Sequence, residues 1–274
     1  MNRNRSMMKW PGSKQLMLTK LLRHLPKTGD VLVEPFAGSC SVALNTNYKR
    51  YLLNDANADL IELFKIARDE PQWLITELAV LFNQENNCPA RYLQIRRIYN
   101  SCTNLRRRAV LLMFLSRYCF NGIVRYNSSG EFNVSLGRYK EPYFPIDEIH
   151  AFSKKMQNAE FYSMDFQKFI NMVATKSGKK VCYIDPPYLP LGNGKNVFTQ
   201  YVAAGFPLAR HKDINDTIVS NRGSFSKVFV SNHSSPLLDE SYPDYVKKSS
   251  FKVTRTISCD IKNRVPAKEV LLHY

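Results

Sequence analysis

An apolar run, Val181-Cys182-Tyr183-Ile184, passes straight into Asp185-Pro186-Pro187-Tyr188. No other stretch limits the fold of this chain as much. Consecutive apolar residues of this kind read as a strand buried on both faces. Two prolines in a row cannot continue it, because neither has an N–H to give to a ladder. The strand therefore ends at Ile184, and a stiff loop follows. That loop carries a carboxylate, carbonyls that stay free as acceptors, and an aromatic ring. Two acceptors beside a flat ring suit a planar heterocycle bearing an amino group, the requirement for alkylating an exocyclic ring nitrogen.

The rest of the chain supplies a sheet for that strand. Val31-Leu32-Val33 is a short buried strand leading into Glu34-Pro35-Phe36-Ala37-Gly38-Ser39, with a helix expected over 40–45. Tyr51-Leu52-Leu53 is a second strand, ending in Asn54-Asp55-Ala56-Asn57, and a helix is expected over 60–67. This β-turn-α-β order opens a doubly wound sheet. Before it, Leu16, Leu18, Leu21, Leu22 and Leu25 predict a helix over 15–25. From Asp69 to about Lys140 the texture is helical, with helices expected over 72–82, 92–99 and 106–116. A polar loop rich in Arg, Asn, Gly and Tyr follows over 121–139. Strand–helix alternation returns with strands over 161–163, 180–184 and 227–230 and a helix over 166–174. Residues 251–257 and 269–274 read as an antiparallel pair.

Beside the Asp-Pro-Pro-Tyr loop, the first turn becomes a cofactor candidate. Gly38 allows a close backbone approach, and Asp55 follows at nearly the ~20-residue spacing at which an acid after a Gly-rich turn binds ribose hydroxyls. S-adenosylmethionine fits a single ribose contact without a diphosphate cradle. The turn has no Lys-Ser/Thr phosphate-loop pattern, which disfavours nucleoside triphosphates.

Net charge is +16, with a sequence pI near 9.6. Such an excess suggests a polyanionic partner, nucleic acid first, against an indifferent basic surface. No apolar stretch approaches the ~20 residues of a membrane span, and the N-terminus has no apolar signal core. The six cysteines (Cys40, Cys88, Cys102, Cys119, Cys182 and Cys259) form no C-x-x-C pair. Reduced thiols and no metal site are expected.

Several residues admit plainer readings. Trp10 can be a core aromatic. The Arg106-Arg107-Arg108 run can be a solvated helix end as well as a phosphate contact. Asn121-Gly122 is a turn signal on any reading, His233 reads better as a structural histidine than as a catalyst, and Tyr188 can simply pack.

Taken together, the chain resembles the Dam-type adenine-N6 DNA methyltransferases of the D12 class, alpha group, and the enterobacterial and phage GATC-specific enzymes among them. The resemblance rests on Lys9-Trp10-Pro11-Gly12-Ser13-Lys14, Glu34-Pro35-Phe36-Ala37-Gly38, Asn54-Asp55, Arg117-Tyr118-Cys119-Phe120-Asn121-Gly122, Arg125-Tyr126-Asn127, Gly130-Glu131-Phe132-Asn133-Val134, Gly137-Arg138-Tyr139, Pro142-Tyr143-Phe144-Pro145, Asp185-Pro186-Pro187-Tyr188 and Ser231-Asn232-His233. It implies an α/β fold, a Rossmann-like S-adenosylmethionine-dependent methyltransferase sheet with an inserted helical DNA-recognition domain. Residues 1–56 and 146–274 are then catalytic, and 57–145 recognise the target. The expected protein is a monomer acting on double-stranded DNA in a bacterial or host cytoplasm, without metal or membrane. RNA or protein glutamine as substrate, or an inactive DNA-binding relative, are the alternatives.

The resemblance also implies site residues. Asp185, Pro186, Pro187 and Tyr188 form the catalytic loop. Trp10, Lys14, Phe36, Gly38, Asp55 and Asp185 surround S-adenosylmethionine. Lys9 meets the first guanine and Arg125 reads another. Phe120 wedges into the base stack beside Asn121. Ser135, Leu136, Arg138 and Tyr139 border the recognition hairpin, and Arg96, Arg117, Asn127 and Asn133 contact phosphates. Departures are Cys40 where the family often has a second glycine, Ser13 for glycine, Pro11 for a small residue, Phe120 for tyrosine and Ser135 for proline.

Overall fold

The structure, a computed structural model, describes residues 3–190, 206–253 and 267–274. Its centre is a sheet of seven strands: β1 (Thr28–Glu34), β2 (Asn47–Asn54), β3 (Ala159–Tyr162), β4 (Lys180–Ile184), β5 (Lys227–His233), β6 (Lys247–Val253) and β7 (Ala267–His273). Their spatial order is β3-β2-β1-β4-β5-β7-β6. The first five are parallel, and β7 runs antiparallel to both β5 and β6. The chain winds outward in one direction from β1 and in the other from β4. The crevice beyond the carboxyl ends of these two neighbours is therefore the topological switch point, where doubly wound sheets bind ligands. Val33 pairs with Cys182, which brings the ends of β1 and β4 level.

Alternation along the strands builds two cores. Leu32, Tyr51, Leu53, Val181 and Tyr183 face one side; Val31, Val33, Leu52, Cys182 and Ile184 face the other. Both sides are covered, so these strands are apolar almost throughout. The second face is closed by α8 (Phe166–Ala174) and α9 (Leu208–Ser220) through Phe169, Ile170, Ile214 and Ile218. On the first face the core runs without a break into the helical region: α3 (Ala58–Asp69), α4 (Pro71–Leu81), α5 (Pro89–Ser101), α6 (Leu105–Tyr118) and α7 (Ile146–Lys155). Helix α3 packs on both β3 and α6, and is the seam between the sheet and these helices. Short helices α1 (Leu18–Leu21), α2 (Ser41–Leu44) and α10 (Leu238–Ser241) complete the set.

The helix expected over 15–25 is broken. A 3-10 turn, Lys14–Leu16, precedes α1, and Leu16 points outward. Lys14 turns inward there, which splits the regular apolar face. Helices α7 and α9 were not read from the sequence. The expected pair over 251–257 and 269–274 is β6 with β7, and residues 254–257 lie outside the described ones.

A buried polar network fastens the helical region to the sheet. Asp59 on α3 accepts both Arg108 Nε and Arg108 Nη2, at 2.9 and 2.7 Å, and the Tyr99 hydroxyl at 2.5 Å. Tyr99 meets the Tyr126 hydroxyl at 2.9 Å, and Tyr126 accepts the Asn57 amide at 3.1 Å. Asn57 also caps α3 by accepting Leu60 N–H. Of the arginine run, Arg106 pairs with Glu70 and stacks on Trp73, Arg108 points inward, and Arg107 is exposed. Removing one member of a buried ion pair leaves its partner uncompensated. Asp59→Ala is expected to lower the unfolding free energy by about 3 kcal/mol. Urea denaturation measures this, and a loss below about 1 kcal/mol would show that the network carries little stability.

Candidate active site and nucleic-acid interface

Three carboxylates stand at or just past the carboxyl ends of β1, β2 and β4: Glu34, Asp55 and Asp185. The first turn, after β1, is shaped by its backbone. Ala37 N–H donates to the Asn54 carbonyl at 2.8 Å, and the Asn54 side chain ties Pro35 to Met164. Gly38 has φ +46, and a Cβ there would lie 3.2 Å from Trp10 Cδ1. Trp10 thus packs directly over the glycine. Cys40 is also left-handed, at φ 55. The glycine common in the family at this position adopts that conformation without steric cost, whereas Cys40 bears it with a fully buried side chain. Phe36 is half-buried, its ring 5.2 Å from Phe166 and 5.8 Å from Phe206.

Asp55 joins the first turn to the second strand. Its Oδ2 accepts Gly38 N–H at 3.0 Å and its Oδ1 accepts Asn57 N–H at 3.0 Å. Each oxygen keeps further lone-pair capacity. Burial raises the Asp55 pKa against these two bonds. Glu34 is fully enclosed. It accepts the Ala43 N–H, its Oε1 has no partner, and burial lifts its pKa to about 8. It therefore carries a proton at neutral pH.

Asp185 sits one residue past β4. Its Oδ2 lies 2.6 Å from Lys14 Nζ, with only 7% and 16% of the two side chains exposed. Its Oδ1 is buried with no hydrogen-bond partner. Burial pushes the Asp185 pKa up, and Lys14 is the main opposing influence. Tyr188 is anchored at its hydroxyl, which donates to Glu269 Oε2 at 2.8 Å and meets Ser231 Oγ at 3.0 Å. His233 packs edge-on against the Tyr188 ring. Leu189 N–H donates to Asn232 Oδ1 at 3.2 Å, so the Ser231-Asn232-His233 end of β5 clamps the loop. Glu269 was not identified from the sequence. Its link to Tyr188 spans 81 residues, and nothing local signals it.

The expected DNA-reading residues divide into two groups. Lys9, Phe120, Asn121, Ser135, Arg138 and Tyr139 come together on one platform. Phe120 N–H donates to Ser135 O at 2.9 Å, Gly137 N–H donates to Tyr118 O at 2.7 Å, and Cys119 bridges Leu136. Lys9 Nζ lies 3.9 Å from the Tyr139 ring centroid, and a Cβ on Gly122 would strike the Lys9 side chain. Phe120 is 38% exposed, and Asn121 is exposed with φ 53. The second group forms the hairpin. Arg125 Nε donates to Asn133 Oδ1 at 2.9 Å, and Tyr126 pairs with Phe132. Asn127 closes the turn: its Oδ1 accepts Ser129 and Glu131 N–H, and its amide donates to Glu131.

Two arginines expected at phosphates donate to backbone carbonyls, Arg117 from a buried position and Arg96 from a part-buried one. Arg117 is buried and donates to the Met7 and Ser6 carbonyls. Arg96 Nη1 donates to the Val134 carbonyl at 3.0 Å. Among the described residues, no group of three or more His, Cys, Asp or Glu is placed to hold a metal, and no helix is long and apolar enough to cross a membrane.

A doubly wound sheet of this order, with acids at three strand ends around its switch point, defines a Rossmann-like S-adenosylmethionine-dependent methyltransferase fold. The family model for the D12 class N6 adenine-specific DNA methyltransferases matches residues 10–257, and the chain belongs to that family. Among its relatives, the DNA adenine methylase of Salmonella typhi is 42% identical over 277 residues, covering 100% of this chain and 96% of the relative. That of Escherichia coli K12 is 40% identical, with coverage of 100% and 96%. That of Serratia marcescens is 37% identical, with 100% of both chains covered. Membership implies S-adenosylmethionine as methyl donor and DNA adenine as acceptor.

The protonated state of Glu34 has a thermodynamic signature. Its folded pKa of about 8 lies above the ordinary carboxylate value of 4.5. Between these limits the folded chain holds a proton that the unfolded chain releases, so its contribution falls as pH rises, by about 1.4 kcal/mol per pH unit. Glu34→Gln removes that slope. Urea unfolding from pH 5 to 8 should show the stability of the variant rising relative to wild type with pH. A constant difference would mean that Glu34 is ionised in the fold.

Proposed function

We propose that the protein methylates N6 of adenine in duplex DNA, within GATC, with the target base extruded from the helix. The observation that carries this reading is Asp185 Oδ1, a buried carboxylate oxygen without a partner, beside the Tyr188 ring at the switch point. Such an atom needs a donor, and an adenine amino group is one.

The donor set fits S-adenosylmethionine. Asp55 offers remaining lone pairs to ribose hydroxyls, Gly38 admits close approach, and Trp10 and Phe36 provide aromatic surfaces on either side of the turn. When bound, it supplies a methyl on sulfonium sulfur: the N6–C bond forms as the S–C bond breaks, the electron pair passes to sulfur, and an N6 proton is then lost to solvent. The residues of the chain do the positioning. Asp185 Oδ1 and the Pro186 carbonyl each take one N–H, which aims the otherwise conjugated lone pair at the methyl. Pro187 stiffens the loop. Acceptors placed where positive charge develops stabilise the transition state, and orientation supplies much of the remainder. Tyr188 stacks on the base, worth about 1–3 kcal/mol, and offsets part of the few kcal/mol that extrusion costs.

The platform and hairpin serve recognition. Phe120 fills the gap left by the extruded base, with Asn121 beside it. Lys9 and Arg125 meet guanines, and Asn127, Asn133, Ser135, Arg138 and Tyr139 hold the backbone near the hairpin. Residues 1–56 and 146–274 form the catalytic part and 57–145 the recognition part, with α3 at the seam.

Five measurements test the reading. Asp185→Ala should abolish transfer of labelled methyl to duplex DNA while DNA binding survives, and near-normal turnover would reject its role. Asp55→Ala should weaken S-adenosylmethionine affinity by calorimetry. Plasmid treated with the enzyme should resist a nuclease blocked by GATC adenine methylation, and 2-aminopurine at that adenine should brighten on binding. Methyl found at another tetranucleotide would replace the specificity; transfer only to RNA or protein would reject the function. Arg125→Ala should cost about 1–3 kcal/mol of binding and relax discrimination at one guanine, measured by titrating substituted duplexes.

A further inference from the structure

Lys14 is enclosed to a degree unusual for a lysine, with 7% of its side chain exposed. Burying an ammonium is costly unless it is paired and hydrogen-bonded. Its nitrogen has three neighbours. Nζ donates to the Gly12 carbonyl at 3.0 Å, lies 2.6 Å from Asp185 Oδ2, and stands 4.7 Å from the centroid of the Tyr188 ring. It thus joins the N-terminal Trp-Pro-Gly-Ser-Lys segment to both functional members of the catalytic loop. The backbone beneath it is fixed as well: Ser13, Ser39 and Ser41 share hydroxyl contacts of 2.8 to 3.1 Å.

The ion pair makes the two oxygens of Asp185 unequal. Oδ2 is occupied by Lys14, and Oδ1 is left buried without a partner. A free carboxylate could turn either oxygen to the substrate, or take up a proton and become a donor. We propose that Lys14 is the positioning residue of the methyl transfer: it holds Asp185 ionised and turned so that Oδ1 alone faces the reacting amine. This rests on the reading of Asp185 as amine acceptor, and it places the main action of Lys14 on that carboxylate instead of on the cofactor.

Of the other groups near Asp185, the Tyr188 hydroxyl favours ionisation in a smaller measure than Lys14, and the rest work against it or leave it unchanged. Glu34, across the switch point from the end of β1, couples to it electrostatically but is protonated at neutral pH. Tyr183 from β4 and Tyr188 from the loop have hydroxyls held well above their ordinary range by burial. Glu269 from β7 accepts the Tyr188 hydroxyl. Among the described groups acting on this carboxyl, Lys14 is the cation. An opposite charge at this distance holds a carboxyl pKa down by about 1–3 units. Without it the carboxyl takes up a proton at higher pH, so on acidification activity should be lost sooner than in wild type, and raising the pH should restore it.

The experiment is single-turnover methyl transfer to a GATC duplex from pH 5.5 to 9, at saturating S-adenosylmethionine. Wild type is compared with Lys14→Met, with Lys14→Gln, which can keep the Gly12 bond, and with Lys14→Arg. The acid limb of the rate should move up by about 1–3 pH units in Lys14→Met and Lys14→Gln, and stay near wild type in Lys14→Arg. Cofactor affinity at pH 8.5, by calorimetry, should change less than about threefold. In an Asp185→Asn background, Lys14→Gln should cost little further and show no such limb, as expected if the two residues act as a unit. An unmoved limb, or a pH-independent loss with weakened cofactor binding, overturns the role of Lys14. A wild-type protein that methylates no adenine overturns the function beneath it.

Discussion

The site depends on solving one electrostatic problem. A doubly wound sheet delivers the ends of β1, β2 and β4 to one crevice, and this chain places an acid at each. Three carboxylates in a poorly solvated crevice cannot all remain bare, because burial disfavours each charge and like charges raise one another. Each is accommodated differently. Glu34 gives up its charge. Asp55 is met by two backbone N–H groups, an arrangement that also locks the first turn onto the second strand. Asp185 has a lysine. The division assigns chemistry: the neutral acid is structural, the backbone-bonded one retains capacity toward hydroxyls, and the ion-paired one presents a bare oxygen. The same sheet with three equivalent acids would have no preferred site for the amine.

Recognition and catalysis are joined by short, buried contacts. Tyr126 is the immediate neighbour of Arg125 in the hairpin, and its hydroxyl accepts the Asn57 amide. The Asn57 backbone N–H donates to Asp55. Two hydrogen bonds therefore separate the hairpin strand carrying Arg125 from Asp55. On the other side, Lys9 packs on the platform of Gly122 and Tyr139 while Trp10 covers Gly38. Adjacent residues of one segment thus touch the platform and the first turn after β1. The core runs unbroken from sheet to helices, so the two parts form a continuous packed body, in keeping with an enzyme that must hold a base and a methyl group in line.

How much of this was legible in the sequence follows from the range of each signal. Strand β4 and helix α8 were read at their observed limits, because an apolar run ended by two prolines and a capping Asp165 are local facts. The expectation of a site at the strand ends came from strand–turn–helix order together with the Asp-Pro-Pro-Tyr loop, Gly38 and Asp55. Helix α9 carries Arg210, His211, Lys212, Asp213, Asn215 and Asp216 among its apolar positions, and this polarity hides its period. Lys14, expected only to border the cofactor, lies just before the expected helix and is drawn inward by a carboxylate 171 positions away in the chain. Glu269 and Arg117 depend on partners 81 and 110 positions away. No local pattern encodes such pairings; they exist only once the sheet has placed the strand ends.

The same point limits what net charge reveals. A charge of +16 reads as a basic face for DNA, yet several of its cations are used inside the fold. Lys14 serves Asp185, Arg108 serves Asp59, and Arg117 holds the N-terminal segment through the Met7 carbonyl. Lys180 is buried against the Ala174 and Lys176 carbonyls. None of these side chains is free to neutralise a phosphate by releasing counterions. The electrostatic footprint belongs instead to the exposed remainder, such as Arg138 on the platform and Arg91, Arg97 and Arg107 on the helical region. Glu34, Asp59 and Glu269 are buried as well as Lys14, Arg117 and Lys180, so the exposed remainder keeps the basic excess. A diffuse basic surface attracts any sequence, so under the proposed reading specificity rests on the few side chains of the platform and hairpin, Lys9 and Arg125 first among them.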